Sequence, residues 1–120
     1  MLKIIDKNLN NLHLCNYKST LIDALNIIEN NHHRGLFLIN ENEKVVASLT
    51  DGDIRKALLR ESLLADPVLP LANPNYKFLR NIEEENLIEE AEKILNRYPS
   101  IFLIPHLDND YRLKDLLINN

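Results

Sequence analysis

The feature of this sequence that most constrains its fold is a pattern of short apolar runs that occurs twice. The runs Leu36–Ile39 and Ile101–Ile104 each follow an apolar stripe at helical spacing, and each precedes a polar turn and a returning apolar run. The offset is about 65 residues, and an offset that long indicates an internal structural repeat. One helix over one small sheet buries little surface, so we expect the two copies to pack sheet to sheet.

The first copy begins with a helix. Thr20 and Asp23 have the spacing of a capping box, and the helix is expected to end near Asn31 and Gly35. Its buried stripe is predicted to contain Leu21, Ala24, Leu25 and Ile28. Two strands, Leu36–Ile39 and residues 44–49, then form a hairpin. A second helix is expected from near Asp51, with three residues facing inward: Ile54, Ala57 and Leu58.

The second copy repeats this order. Its helix is predicted to stop at Tyr98-Pro99, and its returning strand to run from Tyr111 to Ile118. The residues of its apolar stripe are Leu87, Ala91, Ile94 and Leu95. A proline-punctuated connector, residues 66–75, joins the copies. We therefore expect one module over residues 1–120, with a first repeat over about 10–65 and a second over about 66–120.

Charge and composition exclude several classes of function. A formal charge of −4 argues against nucleic acid or an anionic membrane surface as a partner. No apolar stretch approaches the ~20 residues that span a bilayer. Cys15 is the one cysteine, so no internal disulfide can form and a cytoplasmic location is expected. With two glycines, the chain has no glycine-rich loop to hold a triphosphate, so we expect no catalytic residues.

The stretch Thr50–Leu59, reading TDGDIRKALL, resembles the end of a cystathionine-β-synthase-type (CBS) repeat. Together with the doubled order, this makes nearly the whole chain similar to a CBS pair. The wording resembles CBS repeats fused to sugar-phosphate nucleotidyltransferases and to arabinose-5-phosphate isomerases. Because the pair follows the catalytic domain in the isomerases but begins almost at Met1 here, the resemblance favours the N-terminal pairs of bacterial nucleotidyltransferases. The resemblance implies an α+β fold in which two small sheets pack face to face with the helices outside. It also implies a homodimer, an adenine or guanine nucleotide as ligand, and a covalently attached nucleotidyltransferase domain.

Thr50 and Asp53 are the first candidate site residues. A threonine where a strand meets a helix offers its hydroxyl beside unpaired amides, which suits a phosphate. A carboxylate such as that of Asp53 can accept from two ribose hydroxyls. In CBS repeats the matching threonine and aspartate have these two roles, and Ala47 stands where the family usually has glycine. The same pair is also simply a helix N-cap, and this second interpretation stays open.

Four further candidates are less specific. Asp51 is a cap residue or a solvated charge, or with Asp53 a weak Mg²⁺ site. Tyr17 and Lys18 fall where such repeats often contact the base, although Tyr17 equally suits ordinary packing. Arg55 can offset phosphate charge or simply face solvent.

The second copy lacks a matching site. Asp115 and Ile118 fall at its glycine and threonine positions, and the sequence reaches Asn120 before a partner aspartate. We therefore expect at most one nucleotide per chain. No metal site is expected, since the adjacent His32 and His33 have no third ligand nearby in the sequence. The remaining histidines, His13 and His106, are expected at the surface, and Cys15 in the interior.

The sequence thus predicts a regulatory module that binds a nucleotide and influences an attached enzyme. The alternative is a dimerisation module that has kept a vestigial site and binds no ligand. A third possibility is that the 120 residues are a fragment of a longer enzyme.

Overall fold

A computed structural model describes residues 2–6 and 12–119, except the side chains of Ile5 and Asp6. The expected limits of the module near residue 10 and at Asn120 therefore lie outside, or at the edge of, the described residues. The helices are α1 (Leu21–Asn31), α2 (Asp51–Leu59) and α3 (Leu87–Arg97). The strands are β1 (Leu2–Asp6), β2 (Leu14–Asn16), β3 (Gly35–Ile39), β4 (Val45–Thr50), β5 (Leu79–Arg80), β6 (Leu103–Leu107) and β7 (Leu113–Asn119). The α+β class expected from the sequence is confirmed.

The described residues form two compact units. The first unit, residues 12–76, has the sheet order β2-β3-β4, with β2 parallel and β4 antiparallel to β3. The second unit, residues 2–6 and 77–119, has the order β1-β7-β6-β5. The strand equivalents are β2 with β5, β3 with β6, and β4 with β7, as an internal repeat requires.

Helix α1 forms as the sequence predicts. Thr20 is its N-cap, and the Asp23 carboxylate accepts from the Thr20 amide and hydroxyl, both at 3.0 Å. The apolar stripe faces the core of the first unit, with Leu21 and Ala24 fully buried. The other members of that core are Cys15, Leu36, Leu38, Ala47, Leu49, Ile54 and Val68. Burial of this stripe, rather than helix propensity alone, is what stabilises an eleven-residue helix.

The connector between the repeats belongs to the first unit. Backbone bridges join Thr20 to Pro67 and Ser48 to Asn73, and the Tyr76 hydroxyl donates to the Val45 carbonyl at 2.7 Å. The compact first unit therefore extends to Tyr76. These bonds cover the free edge of β4 and the start of α1, which explains why a proline-rich segment is held in place.

Helix α3 and its partners build the core of the second unit. Leu87 and Ala91 are buried and Ile94 and Leu95 are partly buried, as the stripe predicts. Leu79, Ile104 and Leu117 complete this core. The unit also contains β1, which pairs antiparallel with β7 from Leu2↔Asn119 to Asp6↔Asp115. The sequence pattern did not predict this strand.

Three local expectations were wrong. Leu58 faces outward and is 49% exposed, because the inward face of α2 is carried by Ile54 and Ala57. Gly35 begins β3 and does not end α1; the left-handed residue after that helix is His32. The apolar run Ile101–Ile104 only partly coincides with the strand of the second copy, because β6 starts two residues later at Leu103 and continues to Leu107.

None of the helices within residues 2–6 and 12–119 is both long enough and apolar enough to cross a bilayer.

Candidate functional site

The junction between β4 and α2 carries the two main candidate residues. Thr50 ends β4 in extended conformation and is the N-cap of α2. Its hydroxyl accepts from the Asp53 amide at 3.3 Å, and Asp53 Oδ2 accepts from the Thr50 amide at 3.0 Å and from its hydroxyl at 3.1 Å. Thr50 is therefore the cap residue, a role that the sequence had also allowed for Asp51.

This capping box does not exclude a ligand role for Asp53. Its cap contacts use one carboxylate oxygen, Oδ2. The second oxygen, Oδ1, has no hydrogen bond to any part of the chain that the structure describes, and Asp53 is only half-buried. A carboxylate can accept through both oxygens at once. The cap and ribose interpretations of this aspartate are thus compatible.

The first-turn amides of α2 are not all free to bind a phosphate. The Asp51 amide donates to the Arg34 carbonyl at 3.0 Å, and the Asp53 amide donates to Thr50. Within the described residues this leaves the Gly52 amide as the first-turn donor without an acceptor. No sequence pattern predicted that the Arg34 carbonyl would accept from one of these amides.

Gly52 contributes no side chain beside the amide that remains. A β-carbon placed on it would lie 3.6 Å from Thr50 Oγ1 and 3.9 Å from an Arg55 guanidinium nitrogen. The Thr50 hydroxyl, the Gly52 amide and the Arg55 side chain therefore lie around one exposed point. The Gly52 amide and the Arg55 guanidinium are donors that suit a single phosphate group, whereas the one proton of the Thr50 hydroxyl is donated to Asp53 Oδ2 in this structure.

Helix α1 offers a direct comparison within the same unit. It begins with the same box, in which Asp23 accepts from the amide and hydroxyl of Thr20. Its first-turn amides both have acceptors, because Leu21 donates to the Asp66 carbonyl and Ile22 to the Leu64 carbonyl, each at 2.9 Å. The box alone therefore marks only a helix start, and the Gly52 amide without an acceptor distinguishes the candidate site.

Tyr17 and Lys18 lie at the other end of the sheet. The Tyr17 amide donates to Ile39 at the end of β3, whereas Thr50 pairs with Gly35 at its beginning. A ligand contacting both ends would have to span roughly 13 Å, the length of a five-residue strand. The Lys18 ammonium lies 5.6 Å from the Tyr17 ring, and a hydrogen bond to Glu41 raises the pKa of Tyr17. The structure thus brings Asp51 and Arg55 to Thr50, but not these two residues.

The register of the second hairpin shows what replaces the candidate site in the second repeat. Leu103↔Ile118 corresponds to Gly35↔Thr50, so Ile118 occupies the threonine position and is buried. His106↔Asp115 corresponds to Leu38↔Ala47. His106 Nδ1 lies 3.2 Å from Asp115 Oδ2, and the side chain of this histidine is buried. The sequence-based expectation of a surface position for His106 was wrong, because a neighbouring carboxylate offsets its burial.

His13 was also misplaced by the sequence. It is 2% exposed, and its Nε2 lies 2.8 Å from His33 Nδ1, with the two rings stacked at 12°. Burial, and secondarily the charge of His33, lowers the pKa of His13 to about 4. Two imidazoles make at most half of a tetrahedral site. Across the described residues, no group of three histidine, cysteine or acidic side chains is placed to hold a metal ion.

The chain folds as two repeated helix-and-hairpin units, and in one of them a strand ends at the N-cap of a helix. This is the fold class of CBS-domain pairs. The family model described as "CBS domain" matches residues 7–60, which include the Thr50–Asp53 junction. No curated protein sequence matches the chain.

Solved structures confirm the fold. A CBS domain protein from Pyrobaculum aerophilum, complexed with AMP, is 16% identical, with a TM-score of 0.71 over 91% of this chain and 83% of its own. CBSX2 in complex with AMP is 21% identical, with a TM-score of 0.75 over 97% and 86%. The CBS domain pair of protein MJ0100, in complex with 5′-methylthioadenosine and S-adenosyl-L-methionine, is 18% identical, with a TM-score of 0.72 over 88% and 79%.

Proposed function

We propose that the whole chain is a CBS pair that binds one adenine or guanine nucleotide at the start of α2 and regulates an attached enzyme. The observation that carries this proposal is the Gly52 amide, which has no acceptor among the described residues. The Gly52 amide and Arg55 receive a phosphate there, the Thr50 hydroxyl turns its proton from Asp53 Oδ2 to the same phosphate, and the free oxygen of Asp53 accepts from the ribose. The neighbours that share the fold and are named as complexes with AMP support a purine ligand.

The local charges favour a ligand with few phosphates. Asp51 and Asp53 place two carboxylates in the first turn of α2, beside the guanidinium of Arg55. A second phosphate would approach these carboxylates without a further free amide among the described residues. We therefore propose a nucleoside monophosphate such as AMP as the first ligand to test.

Removal of the Asp53 carboxylate tests the site. We expect Asp53→Ala to weaken AMP binding at least tenfold, because a hydrogen bond to a charged group is worth about 1.5–3 kcal/mol. The matched control is Asp23→Ala, which removes the same box from α1. Each variant should lose about 1 kcal/mol of stability as its cap is lost, while only Asp53→Ala should lose affinity. Titration calorimetry measures the affinities, and urea denaturation measures the free energies of unfolding.

The same titrations compare AMP with its 2′-deoxy form. If Asp53 accepts from the ribose, the deoxy ligand should bind the unchanged protein more weakly. Equal affinities of Asp53→Ala and Asp23→Ala for AMP would reject the ribose contact and leave Asp53 as a cap alone.

The second candidate function is dimerisation without a ligand, and a group of exposed leucines favours association. The first unit exposes Leu58, Leu59, Leu63 and Leu64 by 49%, 82%, 66% and 48%. Exposed apolar clusters of this kind commonly mark interaction surfaces. Thermal-shift measurements with a panel of nucleotides distinguish the two functions, because a ligand at a hundred times its Kd adds ~2.7 kcal/mol to the stability of the folded protein. No thermal shift with any nucleotide would favour the dimerisation module.

The proposal also covers the attached enzyme and the cellular location. We infer that the regulated enzyme is a covalently attached sugar-phosphate nucleotidyltransferase, that the protein is cytoplasmic, and that this chain itself is not catalytic. The resemblance of Thr50–Leu59 to the pairs of those enzymes supports the first inference. Expression of the full gene product and assay of nucleotidyl transfer with and without AMP tests it.

A further inference from the structure

A buried amide side chain lies behind the candidate site. Asn31, the last residue of α1, is 5% exposed and uses both ends of its amide. Its Nδ2 donates to the Leu12 carbonyl at 2.9 Å and to the Gly35 carbonyl at 3.0 Å, while its Oδ1 accepts from the His33 amide at 2.8 Å. One side chain therefore joins the end of α1, the segment before β2, and the first residue of β3.

The loop that Asn31 holds, residues 32–34, has a conformation that its own residues do not favour. His32 and Arg34 have φ values of 60° and 65°, in the left-handed region that costs most L-residues free energy. The φ preference of these two residues alone would favour a change to negative φ values. The three hydrogen bonds of Asn31 oppose this relaxation, and the pair between His13 and His33 supports the same loop.

The loop in turn contacts the start of α2. The Arg34 carbonyl accepts from the Asp51 amide at 3.0 Å, and the next residue, Gly35, pairs with Thr50 across the sheet. The position of the first turn of α2 relative to β3 therefore depends on where this loop places Arg34. Hydrogen bonds to a phosphate weaken steeply when donors move out of alignment.

We propose that Asn31 is a positioning residue for the nucleotide site. It fixes the loop that orients the Thr50 hydroxyl and the Gly52 amide toward the phosphate, without touching the ligand itself. This proposal rests on the proposed function, and it predicts an effect on the phosphate end of the ligand rather than on the nucleoside.

The test compares AMP with adenosine in titration calorimetry. We expect Asn31→Ala to lower the ratio of AMP affinity to adenosine affinity at least fivefold. The control is Tyr76→Phe, which removes a hydrogen bond to Val45. Val45 is the first residue of β4 and Thr50 the last, so this variant should leave the ratio unchanged. Both variants are measured at a temperature where circular dichroism shows them folded. If alanine unfolds the chain, Asn31→Ser retains a hydroxyl and should give a smaller drop in the same ratio.

The outcomes separate the two proposals. An unchanged ratio in a folded Asn31 variant, with the parent protein binding AMP, would overturn the positioning role and leave the proposed function intact. An equal drop in Tyr76→Phe would show a general effect of destabilisation and would also overturn it. A parent protein that binds neither AMP nor adenosine would overturn both.

Discussion

Acid should destabilise this fold through His13. The pKa of this residue is lowered from 6.5 to about 4, first by burial and second by the charge of His33. The folded state therefore binds a proton at His13 less readily than the unfolded state does. The stabilising contribution is complete above pH 6.5, the unfolded value, and is lost progressively as the pH falls toward 4.

The size of the effect follows from the shift. A pKa of 6.5 in the unfolded state and about 4 in the folded state lowers the free energy of unfolding by about 2 kcal/mol at pH 5 and about 3 kcal/mol at pH 4, relative to its value well above pH 6.5. Such a loss is a large part of the ~5–15 kcal/mol that holds an ordinary domain together. Protonation also removes an acceptor from the contact in which His13 Nε2 and His33 Nδ1 lie 2.8 Å apart.

Urea denaturation at pH 7.5, 6 and 5 measures this loss. Carboxylates titrate over the same range, so the informative quantity is the difference between the parent protein and His13→Phe, which cannot bind the proton. The variant should lose about 2 kcal/mol less than the parent protein between pH 7.5 and 5. The control is His32→Ala, at an exposed neighbouring position, which should follow the parent. Parallel pH dependence of the parent protein and His13→Phe would refute the reasoning.

Two predictions concern assembly and stoichiometry. The chain should form a homodimer in solution, and light scattering at tens of micromolar showing only the 14.0 kDa monomer would contradict this. Calorimetry should give no more than one nucleotide per chain, because Ile118 occupies the threonine position of the second repeat. Two equivalent sites would contradict the interpretation that the second repeat has no nucleotide site.

The sequence predicted those parts of the fold that depend on neighbouring residues. The capping boxes that begin with Thr20 and Thr50 determine where two helices start, and the apolar stripe of α3 was placed correctly. A cap and a stripe each involve residues only a few positions apart. Their signals therefore survive in one sequence without any knowledge of the partner elements.

The misplaced strand of the second copy has a local cause. The pattern favoured the apolar run Ile101–Ile104, whereas β6 contains Pro105 and His106, which strands usually avoid at buried positions. Pro105 is tolerated because β5 pairs only with His106 and Leu107, so no bond to β5 is required of it. The buried positions of the histidines likewise depend on residues distant in sequence, which periodicity cannot show.

The candidate site was only partly accessible to the same reasoning. Thr50 and Asp53 stand in a recognisable stretch, and the roles assigned to them remain predictions. The contact of the Arg34 carbonyl with the Asp51 amide could not be foreseen, because a backbone acceptor leaves no mark on the residue type. Asn31 was seen only as the end of a helix, although its side chain joins three segments.

The pairing of β1 with β7 has a consequence for how the chain is made. The first unit is contiguous over residues 12–76, so all of it is synthesised before β5, β6 and β7. β1 precedes the first unit along the chain, yet its partner β7 is synthesised only after that unit. This strand must stay unpaired during translation of the whole first unit, with its backbone donors and acceptors exposed to other chains. Slow translation of the second repeat would therefore prolong the period in which newly made chains can aggregate through β1.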